Sequence, residues 1–132
     1  MQHNFTILVM KEEIKKLLGK DPDGLLTYEY LANHISEIDD IIDDIVENMI
    51  MVDHSGQFLV SAARYLFAID REHYRAPISR IIASAIEKDR ERRYIGDLLT
   101  MWGADYEEHV AEYSEKDDNF RRIYKRLYAT GI

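Results

Sequence analysis

Three aspartates near the middle of the chain, Asp39, Asp40 and Asp43, have the type and spacing to gather a cation. Carboxylates four residues apart on a helix share one face, about 5–6 Å from each other. Hard oxygen donors at that separation suit Mg²⁺. The three lie in SEIDDIIDDIVENM, residues 36–49, a stretch with six carboxylates and no positive charge. Other combinations are sparser. Asp70 and His73 have the i,i+3 spacing of half a carboxylate-bridged di-iron site. Three residues before His109, however, stands Tyr106, where a second half would need an acid. Serine, histidine and aspartate occur without a nucleophile elbow, and there is no glycine-rich phosphate loop. His34 and His54 fall at a helix end and a turn.

The run Asp39-Asp40-Ile41-Ile42-Asp43 resembles the DDxxD pattern of prenyl-diphosphate and terpene synthases, in which such aspartates hold Mg²⁺ against a diphosphate. The resemblance implies a Mg²⁺-dependent enzyme with these residues as ligands. Those enzymes are far longer chains that bring a second metal-binding cluster across a deep cavity. Here EKDDNF, residues 115–120, is the nearest counterpart and does not match. Metal-dependent catalysis is therefore the minor reading, and no catalytic residue, metal site or cofactor is assigned.

The elements that would position these groups are helical. Apolar residues recur at i, i+3, i+4 and i+7 through most of the chain. Ile7, Met10, Ile14, Leu17 and Leu18 form a first stripe, with Thr6 as its cap and Gly19 at its end. A turn at KDPDG leads to a second, short helix marked by Tyr28, Leu31, Ala32 and Ile35 and capped by Thr27. A third helix is expected to start at Ser36, in capping-box spacing with Asp39, and to stop near Met49. Asp-x-x-Gly at residues 53–56, flanked by β-prone residues, predicts a small hairpin. Ser61 is placed as the next N-cap, and Pro77 in the first turn of the helix after that. KDRERR should lie beyond the core, because Asp89, Arg92 and Arg93 interrupt the apolar stripe. Ile95, Leu98, Leu99 and Trp102 restart it; Tyr106, Val110 and Tyr113 continue it; Phe120, Ile123, Tyr124, Leu127 and Tyr128 end it. The expected fold is mainly α: a compact multi-helix domain, residues 1–132, with one small β-hairpin near residues 50–60.

Helix, helix, turn, helix and hairpin over residues 7–61 resemble a winged-helix domain, with LTYEYLANHIS as the second helix and turn; residues 62–132 are a helical half. That resemblance implies a nucleic-acid-associated regulator. In DNA-binding members the third helix enters the major groove, whereas here it presents five carboxylates and no base.

Charge gives the leading functional expectation. Asp39, Asp40, Asp43, Asp44 and Glu47 occupy the arc opposite Ile38, Ile41, Ile42, Ile45, Val46 and Met49. Arg121, Arg122, Lys125 and Arg126 hold the equivalent arc of the last helix. If both apolar stripes face the core, both charged faces point outward and can meet between molecules. The expectation is a non-enzymatic protein-interaction or regulatory domain, acting on a protein partner or as a homo-oligomer. In a two-fold dimer each acidic face would meet the other chain's basic face.

Composition is consistent with this. The chain has 132 residues, 46% of them apolar, and no cysteine, so it has enough apolar content for a core and no disulfide or thiolate chemistry. Net charge is −8, which opposes phosphate binding in general. A nucleic-acid role would have to use RRIYKRLY and KDRERR, where aromatic and basic residues interleave. The run ILVM is too short for a signal-peptide core or membrane span, so cytoplasmic residence is expected.

Overall fold

The computed structural model of the chain describes residues 12–128. The proposed cap at Thr6 and the stripe positions Ile7 and Met10 lie outside them. Helical residues 12–18 (α1) are followed by α2 (Leu25–Asn33), α3 (Ile42–Val52), α4 (Gln57–Asp70) and α5 (Arg75–Lys88). Two 3-10 helices come next, η1 (Ile95–Trp102) and η2 (Tyr106–His109), and then α6 (Val110–Lys116) and α7 (Asp118–Tyr128).

The chain is mainly helical, and no strand occurs among the described residues. The expected hairpin near residues 50–60 is therefore corrected. α3 runs on through Val52, a four-residue connection follows, and α4 starts at Gln57. The winged-helix resemblance loses its wing. The physical reason is Asp53. Its backbone N–H closes α3 on the Met49 carbonyl at 2.9 Å. Its buried carboxylate accepts the N–H groups of Ser55 (3.1 Å), Gly56 (2.8 Å), Phe58 (2.9 Å) and Leu59 (2.9 Å). The first N–H groups of a helix lack intrahelical acceptors. One side chain here supplies them and turns the chain from one helix into the next.

The same device recurs. Asp21 accepts from the N–H groups of Asp23, Gly24 and Thr27 and from the Thr27 hydroxyl, the last at 2.5 Å. Asn48 of α3 in turn donates to Thr27 Oγ1 (3.0 Å) and to the Leu18 carbonyl. Asp89 closes α5 on Ala85 and accepts from Arg93, Tyr94 and Ile95. In all three loops the residue three after the aspartate has a left-handed backbone: Gly24 (φ 108°), Gly56 (φ 86°) and Arg92 (φ 59°). The loops also touch in series. A Cβ on Gly24 would lie 3.1 Å from Asp53 Cβ, and one on Gly56 would lie 3.2 Å from Asp89 Cβ.

Several boundaries shift accordingly. Thr27 and Ser61 sit inside α2 and α4 rather than capping them. α3 begins at Ile42, because residues 34–41 form turns closed by Glu37 N–H to the His34 carbonyl and Ile41 N–H to the Ile38 carbonyl. Ile38 is nevertheless buried. Pro77 lies in the first turn of α5, where a missing N–H costs no helix bond. Asp89, expected beyond the core, is buried because it serves as a clamp. The stripe at Ile95 forms a 3-10 helix, whose three-residue turn aligns Ile95, Leu98 and Met101.

Packing produces two layers. α4 contacts α2 and η1 in one; α5 contacts α3 and α7 in the other. Leu31, Met49, Leu59, Leu66, Ile81, Leu98 and Phe120 are among the side chains fully buried between them. Trp102, Tyr113, Tyr106 and Tyr124 surround the Phe120 ring at centroid distances of 5.3, 5.5, 6.3 and 6.0 Å. Trp102 Nε1 donates to Asp117 Oδ2 at 2.9 Å, which ties η1 to the start of α7.

Candidate functional site

The layer of α3, α5 and α7 carries both charged faces named from the sequence. α5 turns Ile78, Ile81, Ile82, Ala85 and Ile86 to the core, which leaves Ala76, Arg80, Ala83 and Glu87 on the opposite arc. On one flank, Lys88 Nζ donates to the Ile50 carbonyl (2.5 Å), and Arg80 pairs with Glu47 of α3. On the other flank, Asn119 Nδ2 donates to the Ser79 carbonyl (3.1 Å) and Arg126 donates to the Ile86 carbonyl. Arg122 approaches Glu87 at 3.9 Å. α5 thus lies between an acidic and a basic helix.

The acidic residues are unequal. Asp40, Asp43, Asp44 and Glu47 are exposed. Asp40 and Asp43 form no ion pair among the described residues. Asp39 precedes the helix and has a local task. Its Oδ2 lies 2.8 Å from His73 Nε2, and its Oδ1 accepts the Tyr74 hydroxyl at 3.0 Å. It therefore ties the turn before α3 to the turn before α5. Burial, followed by this bond to Asp39, pushes the Tyr74 phenol up to about 12. Asp39 and Asp40 lie in the turn before α3 and only Asp43 lies on the helix, whereas the sequence pattern placed all three on one helix.

Of the basic residues, Arg121 pairs with Asp118 within α7, and Lys125 is exposed without an ion pair among the described residues. The Arg126 carbonyl accepts from Arg92 at 3.1 Å. The clusters KDRERR and RRIYKRLY, separate in sequence, are thus brought to one corner.

Asp70 and His73 do not form a metal half-site. Asp70 accepts the His73 backbone N–H at 3.0 Å, while the His73 ring turns to Asp39. Sequence reasoning passed over Asp105, Glu108 and His109, whose ligand atoms lie within 4.8 Å of one another. Residues four before and one before the histidine would have flagged them. Glu112 stands 3.6 Å from the same ring and accepts from Lys116 at 3.1 Å, so this is an exposed ion-pair cluster around a short 3-10 turn.

Grooves flank the layers. One, of about 490 Å³, lies between α1 and α3, with Ile14, Leu18, Ile41 and Ile45 as its floor and Asp44 and Glu47 at its rim. Another, of about 260 Å³, has Phe67, Ile78, Ile82, Met101 and Trp102 below Arg71 and Arg75. Neither brings a nucleophile, a base and an oxyanion donor together in the manner of a catalytic site. No protein-family model, curated protein or solved structure matches the chain.

Proposed function

We propose that this chain is a non-enzymatic interaction domain whose protein-binding surface is the outer face of α3, α5 and α7. The observation that supports this reading is that α5 is flanked on one side by α3, through Arg80 and Glu47, and on the other by α7, through Glu87 and Arg122, the two helices that carry the acidic and basic residues. A surface polarised in this way selects a partner and its orientation through charge, while contact area supplies affinity. Met51, 64% exposed at the end of α3, adds apolar contact on the acidic side. The test is site-specific photo-crosslinking in the native cell. A benzophenone side chain at Ala83, on this face, should capture protein, and the same group at Arg64 on α4 should not. Equal yields at both positions, or none at Ala83, would remove the surface from consideration.

The alternative is a nucleic-acid-associated regulator, and the corner where Arg92 meets Arg126 favours it. Lys125 and Arg93 extend that corner, while Glu91, 2.8 Å from Arg93, dilutes it. Fluorescence anisotropy against duplex and single strands at about 150 mM salt decides between the readings. Sub-micromolar binding, lost on Arg121→Glu with Arg122→Glu, would put the alternative first. Weak, non-specific binding would remove the alternative.

A further inference from the structure

Resting on that reading of the α3–α5–α7 face, we propose that its occupant is a second copy of the chain, docked about a two-fold axis that runs along α5. The three helices run in one direction. Asn119 near the start of α7 meets Ser79 early in α5, Arg126 meets Ile86 near both ends, and Lys88 at the end of α5 meets Ile50 near the end of α3. When two copies of one surface face each other, the two-fold axis that relates them lies in the plane of contact, and each copy offers the same patch.

Two orientations of that axis can be compared. An axis across the helices sets α3 against α3 and α7 against α7, so that like charges oppose like. An axis along α5 exchanges the flanks: α3 of each copy faces α7 of the other, twice, and α5 faces itself. The charge pattern accepts the second and rejects the first. It also suits the middle of the face. Arg80 and Glu87 already have partners on α3 and α7 within the chain, and Ala76 and Ala83, alternating with them along the same arc, let two α5 helices approach. Asp40 and Asp43 on one copy and Lys125 on the other are the charges left to pair. Exposed pairs are individually weak, so the dimer is weak and sensitive to salt.

Sedimentation velocity on the full chain tests this with two reversed variants, Asp40→Lys with Asp43→Lys, and Arg122→Glu with Lys125→Glu. The unmodified chain should dimerise, with affinity falling roughly tenfold as salt rises from about 0.05 to 0.5 M. Each variant alone should be monomeric, because the reversed side chains then face side chains of their own sign across the axis. Mixed, they should form a closed 1:1 heterodimer, a recovery that misfolded variants cannot give. Because the chain has no cysteine, Ala83→Cys adds a single thiol. Under oxidation it should link two copies through position 83, and Arg64→Cys should not. A monomer at every salt concentration with no heterodimer on mixing overturns the proposal, as does a dimer that leaves Cys-substituted position 83 unlinked. If the monomeric chain still crosslinks another protein at Ala83, the dimer fails and the binding surface stands. If it crosslinks none, both fail.

Discussion

Replacing Asp53 with alanine removes the acceptor on which the α3–α4 connection depends. Four backbone N–H groups and the Ser55 hydroxyl point at its carboxylate, the bonds to Gly56 and Leu59 being buried and those to Ser55 and Phe58 partly exposed. Water can take over at the exposed pair. A buried donor left without a partner costs about 1–3 kcal/mol, and loss of an N-cap about 0.5–2 kcal/mol; the two overlap because the same N–H groups are counted. The expected loss is about 3–5 kcal/mol. Domains of this kind have about 5–15 kcal/mol in all, so the variant sits close to its unfolding transition. Asp53→Asn keeps one oxygen and turns an amide NH₂ toward two N–H donors, which gives an intermediate loss of about 2–3 kcal/mol. Urea unfolding, followed by circular dichroism and by fluorescence of Trp102, the single tryptophan, reads the change as a lower midpoint at unchanged slope. Asp97→Ala, exposed in the first turn of η1, is the control and should stay within about 0.5 kcal/mol. A shift below about 1 kcal/mol for Asp53→Ala would refute the clamp as the organiser of this connection.

At Arg92, the left-handed backbone favours glycine, so Arg92→Gly should be more stable than Arg92→Ala by about 1 kcal/mol, the reverse of an ordinary helix site, by the same urea assay. Burial raises the Asp21 carboxyl, but the Thr27 hydroxyl and the N–H groups of Gly24, Thr27 and Asp23 together outweigh it and hold it below the usual range. Its stabilisation is therefore present above the ordinary carboxylate pKa and lost as pH falls through the depressed one. Asp21→Asn should flatten the acid limb of stability measured against pH. Tyr74, held up to about 12 by burial and by Asp39, should titrate late in ultraviolet absorbance, and Asp39→Ala should bring it earlier. A raised phenol pKa means that this part of the stability is lost as pH climbs from about 10 toward 12. Phe120→Ala, which empties the centre of four aromatic rings, should cost about 3–5 kcal/mol in thermal or urea unfolding.

Helical content and the core were legible because the stripes are strong. Ile45, Val46 and Met49, then Ile78, Ile81, Ile82, Ala85 and Ile86, and Phe120 with Ile123 lie where a 3.6-residue period puts them, all buried. The connections were not legible, for a physical reason. An aspartate followed three residues later by glycine has the same composition whether it turns a hairpin or caps a helix. What separates the two is whether its carboxylate reaches N–H groups five and six residues ahead, and that depends on where the next helix axis points. The apolar run on both sides of Asp53 fitted strand and helix equally well. Of the candidate site, the exposure of Asp40, Asp43 and Lys125 followed from the stripes. Their arrangement on either side of α5 did not, because it depends on Glu47 meeting Arg80 and Arg126 meeting Ile86, pairs more than thirty residues apart. The tie from Asp39 to His73 and Tyr74 is equally non-local.

The seating of Gly24 against Asp53 and of Gly56 against Asp89 gives the molecule a grammar of extension. Each of the two later units begins on an aspartate that receives the glycine of the unit before it, so the junctions are alike in kind. A chain in which residues 53–88 were repeated in tandem would place the first Gly56 against the duplicated Asp53 and the second against Asp89, leaving no junction of a new type. Stability in such an array grows as a sum of unit and nearest-neighbour contributions. The α3–α5–α7 face would lengthen by one helix for every unit added, and the distance between its acidic and basic flanks would become an adjustable dimension.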